Sequence, residues 1–324
     1  MRLKPLNEFL PFFEEADRFL LIPSFELTSR WKREKTATTP EQGGPVHLNV
    51  TNPRDLIPPT SGDNALEVMQ QNVDAVIAQR EKTGQPMFPH LNHPNFGWGI
   101  TPEELMQVKG ERFFEVYNGH PGVNNQGDAT HVSMDRLWDI VLTHRLTKLG
   151  LEIMYGIAVD DGHHYHQIGI GKSNAGRGWV MVRADFLTPE SIVHAMEAGD
   201  FYGTSGVVLH DVKRETNRLA VAIAAEPGVT YVTQFIGTRK GYDPASEIIP
   251  AAPGVAAKTR PHRRYARDIG AVLAEVRGAA AAYTLRDDDI YVRAKIISSK
   301  PKVNGSVAGE FETAWTQPVV NPAK

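Results

Sequence analysis

Strand-like and helix-like runs alternate along this chain from about Arg18 to Gly199, and then the helices stop. Arg18–Leu27 reads as a strand ending at Glu26, and Pro45–Val50 as a short extended run carrying His47. Met87–Asn92, Phe113–Tyr117, Leu151–Val159 and Trp179–Val182 read the same way. Between them, Leu66, Met69, Val73, Val76 and Ile77 recur at helical spacing, with Gly84 as a stop. Thr101-Pro102-Glu103-Glu104 has a cap residue, a first-turn proline and a third-position glutamate, which is a helix start. Met134, Leu137, Trp138, Val141 and Leu142 share a helix face ending near Gly150, and a further helix runs from Thr188-Pro189 to Gly199. Such alternation implies βα units around a largely parallel sheet or barrel. Ser29–Gly44, charged and threonine-rich, reads as a surface loop.

After about Gly206 the pattern becomes β-only. Leu219–Ala225, Val229–Ile236 and Ile290–Ile297 are strand-like, and in the last Ile290, Val292, Ala294 and Ile296 alternate with polar positions. A proline- and arginine-rich loop, Pro250–Arg264, separates these runs. The reading is therefore α/β, with residues 1–206 as a barrel and 207–324 as a small, sandwich-like antiparallel β module.

The composition removes several function classes. A formal charge of −3 over 324 residues argues against a nucleic-acid partner. No apolar run approaches the ~18 residues of a membrane span, and no targeting segment is evident at the start, so the compartment stays open. There are no cysteines, so any metal must be held by histidine and carboxylate.

One stretch has that chemistry: Asp160-Asp161-Gly162-His163-His164-Tyr165-His166, at the exit of an apolar strand. In extended chain, residues two apart point the same way, so Asp161 and His163 would converge. A carboxylate and a neutral imidazole together suit zinc, manganese or iron. His164 and His166 point elsewhere. Glu26, His93 and Asp161 all sit at or just past predicted strand ends, the edge where parallel α/β folds carry their chemistry, while His47 lies inside its strand. Glu115, at a strand end, could support a ligand. Asn118 is a candidate for substrate contact, and Arg177, between two glycines, has the planar fork that suits phosphate. There is no phosphate-binding glycine loop and no serine nucleophile elbow.

In order, Ile22-Pro23-Ser24-Phe25-Glu26, Val46-His47-Leu48, Asn92-His93-Pro94, Phe114-Glu115-Val116-Tyr117-Asn118 and Asp161-Gly162-His163 resemble the polymerase-and-histidinol-phosphatase (PHP) metallohydrolases, in their carbaryl-hydrolase-like branch. The segments Gly176–Val180, Leu187–Tyr202, Tyr291–Arg293 and Ala314–Gln317 share the likeness. It implies a distorted (β/α)7-type barrel with a metal cluster at the strand C-termini. It also implies that Glu26, His47, His93, Asp161 and His163 are metal ligands, with Asp161 and His163 in the catalytic role.

The family's opening histidine-x-histidine and threonine-aspartate-histidine motifs are missing, and the first histidine here is His47. The expectation is an N-terminally incomplete barrel whose open edge could pair with another copy. Its function would be metal-assisted hydrolysis of a small phosphoester, or of a related ester or carbamate. The alternative is a truncated or degenerate chain that binds without catalysing.

Overall fold

The structure is a computed structural model that describes residues 4–37, 41–250 and 260–322. The chain runs through helix α1 (Leu6–Phe13), strands β1 (Ser24–Arg33) and β2 (Gln42–Thr51), helix α2 (Ala65–Thr83), strand β3 (Phe88–Leu91) and helix α3 (Pro102–Leu105). Strand β4 (Phe113–Asn118), helix α4 (Met134–His144) with a π-helical turn to Leu149, and strand β5 (Tyr155–Val159) follow. Then come β6 (Trp179–Val182), helix α5 (Pro189–Glu197) and β7 (Phe201–Thr204). The remaining elements are all strands: β8 (Leu209–Glu215), β9 (Arg218–Ile223), β10 (Tyr231–Arg239), β11 (Ser246–Ile249), β12 (His262–Tyr265), β13 (Ala271–Arg277), β14 (Ala280–Thr284), β15 (Asp289–Pro301), β16 (Phe311–Thr316) and β17 (Val319–Val320).

The expected (β/α)7-type barrel does not form. The first sheet is open, in the order β1-β2-β3-β4-β5, and only its β3–β4 and β4–β5 pairs are parallel. The connection over residues 34–41 is too short for the crossover that parallel strands need, so β1 and β2 pair antiparallel, and β2 pairs antiparallel with β3. After β5 no helix returns the chain. Instead β6 and β7 pair with each other and join β16, β15, β10 and β13 in a second, antiparallel sheet. β1 is the edge strand of the first sheet, and there the Lys32 N–H donates to the Gly62 carbonyl at 2.9 Å. A three-stranded sheet β14-β9-β8 and the hairpin β11-β12 complete the described residues. No described helix is long and apolar enough to cross a membrane.

The helices start where their caps dictate. The Asn64 side chain accepts the Glu67 N–H at 2.9 Å, and Gly84 ends α2 in left-handed backbone at φ +71°. Thr101 and Glu104 form a capping box on α3, and Ser133 and Thr188 cap α4 and α5.

β1 and β2 have two unlike faces. Leu27 and Trp31, with Val46, Leu48 and Val50, are buried against Val68, Met69, Val73 and Val76 of α2. Each such apolar side chain contributes about 1.5–3 kcal/mol on burial. The opposite face of the same strands carries Glu26, Thr28, Arg30, His47 and Asn49 and is only partly covered. The period of two along a strand thus gives a sheet with one core side and one polar side.

α4 joins the first sheet to the second. Gly156 of β5 has no side chain because a Cβ there would lie 2.8 Å from the Trp138 ring. On the other side of α4, the fully buried Arg293 of β15 grips Asp139 through Nη2–Oδ2 (2.7 Å) and Nε–Oδ1 (2.9 Å).

Candidate metal centre

The donor atoms of Glu26, His47 and His93 all lie within 4.8 Å of one another. The sheet register brings them together. Glu26 pairs with Asn49 and Thr28 with His47, so Glu26 and His47 are diagonal neighbours on the polar face. Glu26 Oε1 lies 3.2 Å from His47 Nδ1 and accepts the Thr28 hydroxyl at 2.8 Å. His93 sits two residues past the end of β3, where its ring meets that of His47 edge-on at 5.1 Å between centroids. Asn92 orients the carboxylate from behind, donating Nδ2–H to Glu26 Oε2 at 3.2 Å and accepting the Asn49 N–H at 3.1 Å.

Both imidazoles are held neutral. Burial, and then the neighbouring His47, push His93 down to about 4, against the pull of Asp161 and Glu26. Burial also lowers His47, opposed by Glu26. A neutral imidazole is the state a metal ligand needs. Two histidines and one carboxylate is a donor set that zinc accepts in catalytic sites and that iron(II) also accepts. The residues therefore fit a divalent ion.

Asp161 adjoins this group. Its Oδ2 is 4.0 Å from His93 Nε2 and accepts the Asn118 amide at 3.2 Å. His163 is near in sequence but set apart. Its side chain is 64% exposed, and Nδ1 donates to the Asp161 backbone carbonyl at 2.8 Å. Asp161 and His163 thus converge only loosely, at 3.5 Å between Oδ1 and Nδ1, because the chain leaves extended backbone at Asp161 (φ +50°).

Behind the group sits Glu115 on β4, which accepts the His93 N–H at 2.7 Å and the Asn118 amide at 2.8 Å. Burial pushes its carboxyl up to about 8, so the side chain there is a neutral acid at pH 7. His90 lies 3.8 Å away and is also neutral, pushed down to about 3 by burial and then by His93. Asn118, expected to meet substrate, is fully buried and bridges Glu115 and Asp161. Arg177, expected to meet an anion, is also fully buried. Its donors go to the carbonyls of Gly119 (2.9 Å), Gly169 (3.0 Å), Lys172 and Asn304 (2.9 Å), so it ties the loop after β5 to the turn after β4 and to the β15–β16 connection.

Three neighbours of the group were not singled out in the sequence. Thr28 and Arg30 stand beside it on β1, and the period-two pattern Phe25-Leu27-Ser29-Trp31 against Glu26-Thr28-Arg30 would have revealed both. Phe96 walls the site, its ring 5.1 Å from His93 and 6.2 Å from His47. No local signal marks it. His120, at the mouth, accepts the Gly122 N–H on Nδ1 at 3.0 Å, which leaves a neutral ring with its proton on Nε2. A cavity of about 540 Å³ lies elsewhere, between β6, β7 and β8, and none of these residues lines it.

Fold and site together define a mostly β protein, not the α/β one expected, with a two-histidine, one-carboxylate candidate metal centre on the polar face of an open sheet. No family model matches the chain, and no curated protein matches it. Among solved structures it is similar to a two-domain protein from Bacteroides vulgatus ATCC 8482 containing a predicted PHP-like metal-dependent phosphoesterase. The identity is 11% and the TM-score 0.29, over 90% of this chain and 74% of that one. A likeness so loose does not establish a common fold, and nothing supports the narrower carbaryl-hydrolase branch.

Proposed function

We propose that this chain is a metal-dependent hydrolase that acts on a small ester, with a phosphoester as the preferred class. The observation that carries the proposal is the convergence of Glu26, His47 and His93 within 4.8 Å. When bound, a divalent ion there supplies Lewis-acid polarisation of the ester and lowers the pKa of water toward neutrality. Glu26, His47 and His93 hold it. Asn92 and Thr28 keep the Glu26 carboxylate aimed, and Glu115 fixes the backbone of His93. Asp161, with Oδ2 engaged by Asn118, accepts the proton of the attacking water, and exposed His163 meets solvent or leaving group at the rim. Phe96 keeps bulk water off the two imidazoles.

The test is metal content and turnover together. Purified protein dialysed against zinc or manganese should retain about one ion per chain and hydrolyse bis(p-nitrophenyl) phosphate, and His47→Ala and His93→Ala should lose both. Retention of the ion by both variants would remove the site from consideration. A second reading, a metal-holding protein without turnover, is favoured by the way His163 is engaged with the carbonyl of Asp161. One bound ion with no hydrolysis of phosphate or carboxylic esters would select it.

A further inference from the structure

We infer that Arg30 is the anion-binding residue beside this centre, and that the substrate is therefore an anionic phosphoester rather than a neutral carbamate or carboxylic ester. The inference deepens the proposed function and rests on its reading of Glu26, His47 and His93.

Arg30 lies on β1 two residues beyond Thr28 and four beyond Glu26, and so on the same polar face. It pairs with Pro45 while Thr28 pairs with His47, which makes Arg30 and His47 diagonal neighbours, within reach of a long side chain. Arg30 is exposed, and among the described residues its side chain makes no hydrogen bond and no ion pair. The other basic groups nearby are engaged. Arg177 is buried and spends its donors on carbonyls, and Lys32, one step further along the face, lies 3.6 Å from Glu41.

A charged residue on an edge strand commonly serves to discourage pairing with another chain, and β1 is such a strand. That role would be met by an arginine anywhere along β1. It gives no reason for an unpartnered guanidinium on the face that carries Glu26 and His47, at the position diagonal to His47. A phosphoryl group accounts for the placement: a guanidinium takes two of its oxygens through parallel N–H donors, while a third faces the centre. A neutral carbamate offers Arg30 nothing comparable. His120, its ring 6.3 Å from that of Phe96, has its Nε2–H as a further neutral donor.

The experiment compares the metal-loaded parent with Arg30→Gln and Arg30→Lys. Inorganic phosphate is titrated into each by calorimetry, and metal content is measured in parallel. We expect Arg30→Gln to weaken phosphate binding about tenfold, Arg30→Lys to fall between, and metal content to stay unchanged. In turnover, Arg30→Gln should raise KM for bis(p-nitrophenyl) phosphate about tenfold while leaving p-nitrophenyl acetate unaffected. Equal phosphate affinity in parent and Arg30→Gln, or no phosphate binding by either, overturns the assignment. Loss of phosphate binding in Arg30→Gln, in a protein that turns over no ester, upholds Arg30 as the anion site and overturns the hydrolase reading alone.

Discussion

His93 and Asp161 face each other with Nε2 4.0 Å from Oδ2, and both hold left-handed backbone, at φ +21° and +50°. Neither is glycine, and His93 precedes Pro94, which further restricts it to extended conformations. Such backbone costs roughly 1–3 kcal/mol per residue and persists only where its surroundings enforce it. Here they do: the Glu115 carboxyl holds the His93 N–H, the rings of His47 and Phe96 pack on its imidazole, and Asn118 holds the Asp161 side chain. Strain at two facing polar residues is the pattern expected of a site kept for chemistry rather than for stability.

That relationship leads to a first prediction. Asn tolerates left-handed backbone better than Asp does. In Asp161→Asn it would keep an oxygen for the Asn118 amide while removing a charge near Glu115 and Glu26. Urea unfolding of Asp161→Asn should show a stability equal to the parent or up to about 1 kcal/mol higher, with hydrolysis reduced to background. A loss of more than about 1 kcal/mol would mean that Asp161 is retained for the fold.

The second prediction concerns the metal. Glu26 Oε1 and His47 Nδ1 already stand 3.2 Å apart, a spacing that suits two ligands about 2.0–2.2 Å from one zinc ion, and His93 lies within 4.8 Å of both, so the folded chain should bind the ion. A ligand that binds only the folded chain stabilises it by about 2.7 kcal/mol at a hundred times its Kd. Thermal melts should therefore shift upward with zinc and back with EDTA. Glu26→Gln should reduce that shift, and His47→Ala should abolish it. A zinc-induced shift that survives in His47→Ala would place the ion elsewhere.

Much of the local structure is legible in the residues, because its signals are local. Asn64, Thr101 and Thr188 each mark a helix start through a side chain that bonds a backbone N–H within three residues, and the period of Leu66 to Ile77 sets the α2 face. What fails is the choice of partners between strands. Alternating strands and helices suggest parallel units. The chain between Arg33 and Gln42 permits only an antiparallel pair, and that limit was hidden by reading Ser29–Arg33 as loop. β7, β8, β13, β14 and β16 carry weaker patterns whose pairing is set by tertiary packing. The candidate site divides in the same way. Glu26, His47 and His93 are recognisable by type, but their meeting depends on the β1–β2 register. The side chains of Asn118 and Arg177 turn away to internal partners that no linear pattern reveals.

A third prediction comes from His144, at the end of α4. Its ring is 3% exposed, lies between Tyr242 and Tyr265, and has an Nε2 without a partner among the described residues. Burial and then Lys148 push it down to about 4, below the ordinary 6.5. Between those values the unfolded chain binds the extra proton, so this contribution is fully present above pH 6.5 and is lost as the pH falls toward 4. The amount lost should be on the order of 1–3 kcal/mol. In His144→Phe, which keeps the ring packing, stability measured in urea should fall less than the parent's from pH 7 to pH 4.5. Parallel curves for the two proteins would show that His144 does not carry the effect.

The last prediction concerns the junction between the two larger sheets. Arg293 and Asp139 are fully buried and doubly bonded. Tyr291 donates its hydroxyl to Asp139 Oδ1 at 2.9 Å, and the Arg293 guanidinium lies 4.7 Å from the Trp138 ring centroid. Beside them Asp135 accepts from Lys295 at 2.5 Å and from Trp315 Nε1 at 3.0 Å. Taking such charges out of water is costly, and their mutual attraction offsets that cost only while both are present. Asp139→Asn alone should therefore destabilise the fold by up to about 3–5 kcal/mol, because it leaves the buried guanidinium with only the single contact from Nη1 to Asp135 Oδ1, at 3.2 Å, as counter-charge. The double variant Asp139→Leu, Arg293→Met removes both charges and should recover a large part of that loss, giving a coupling well above ~1 kcal/mol in the double-mutant cycle. Additive losses in urea unfolding would show that the pair contributes no more than its packing. Because α4 also carries Trp138 against β5, the strand leading to Asp161, the single variant should lower metal retention at the centre as well, and the double variant should restore it.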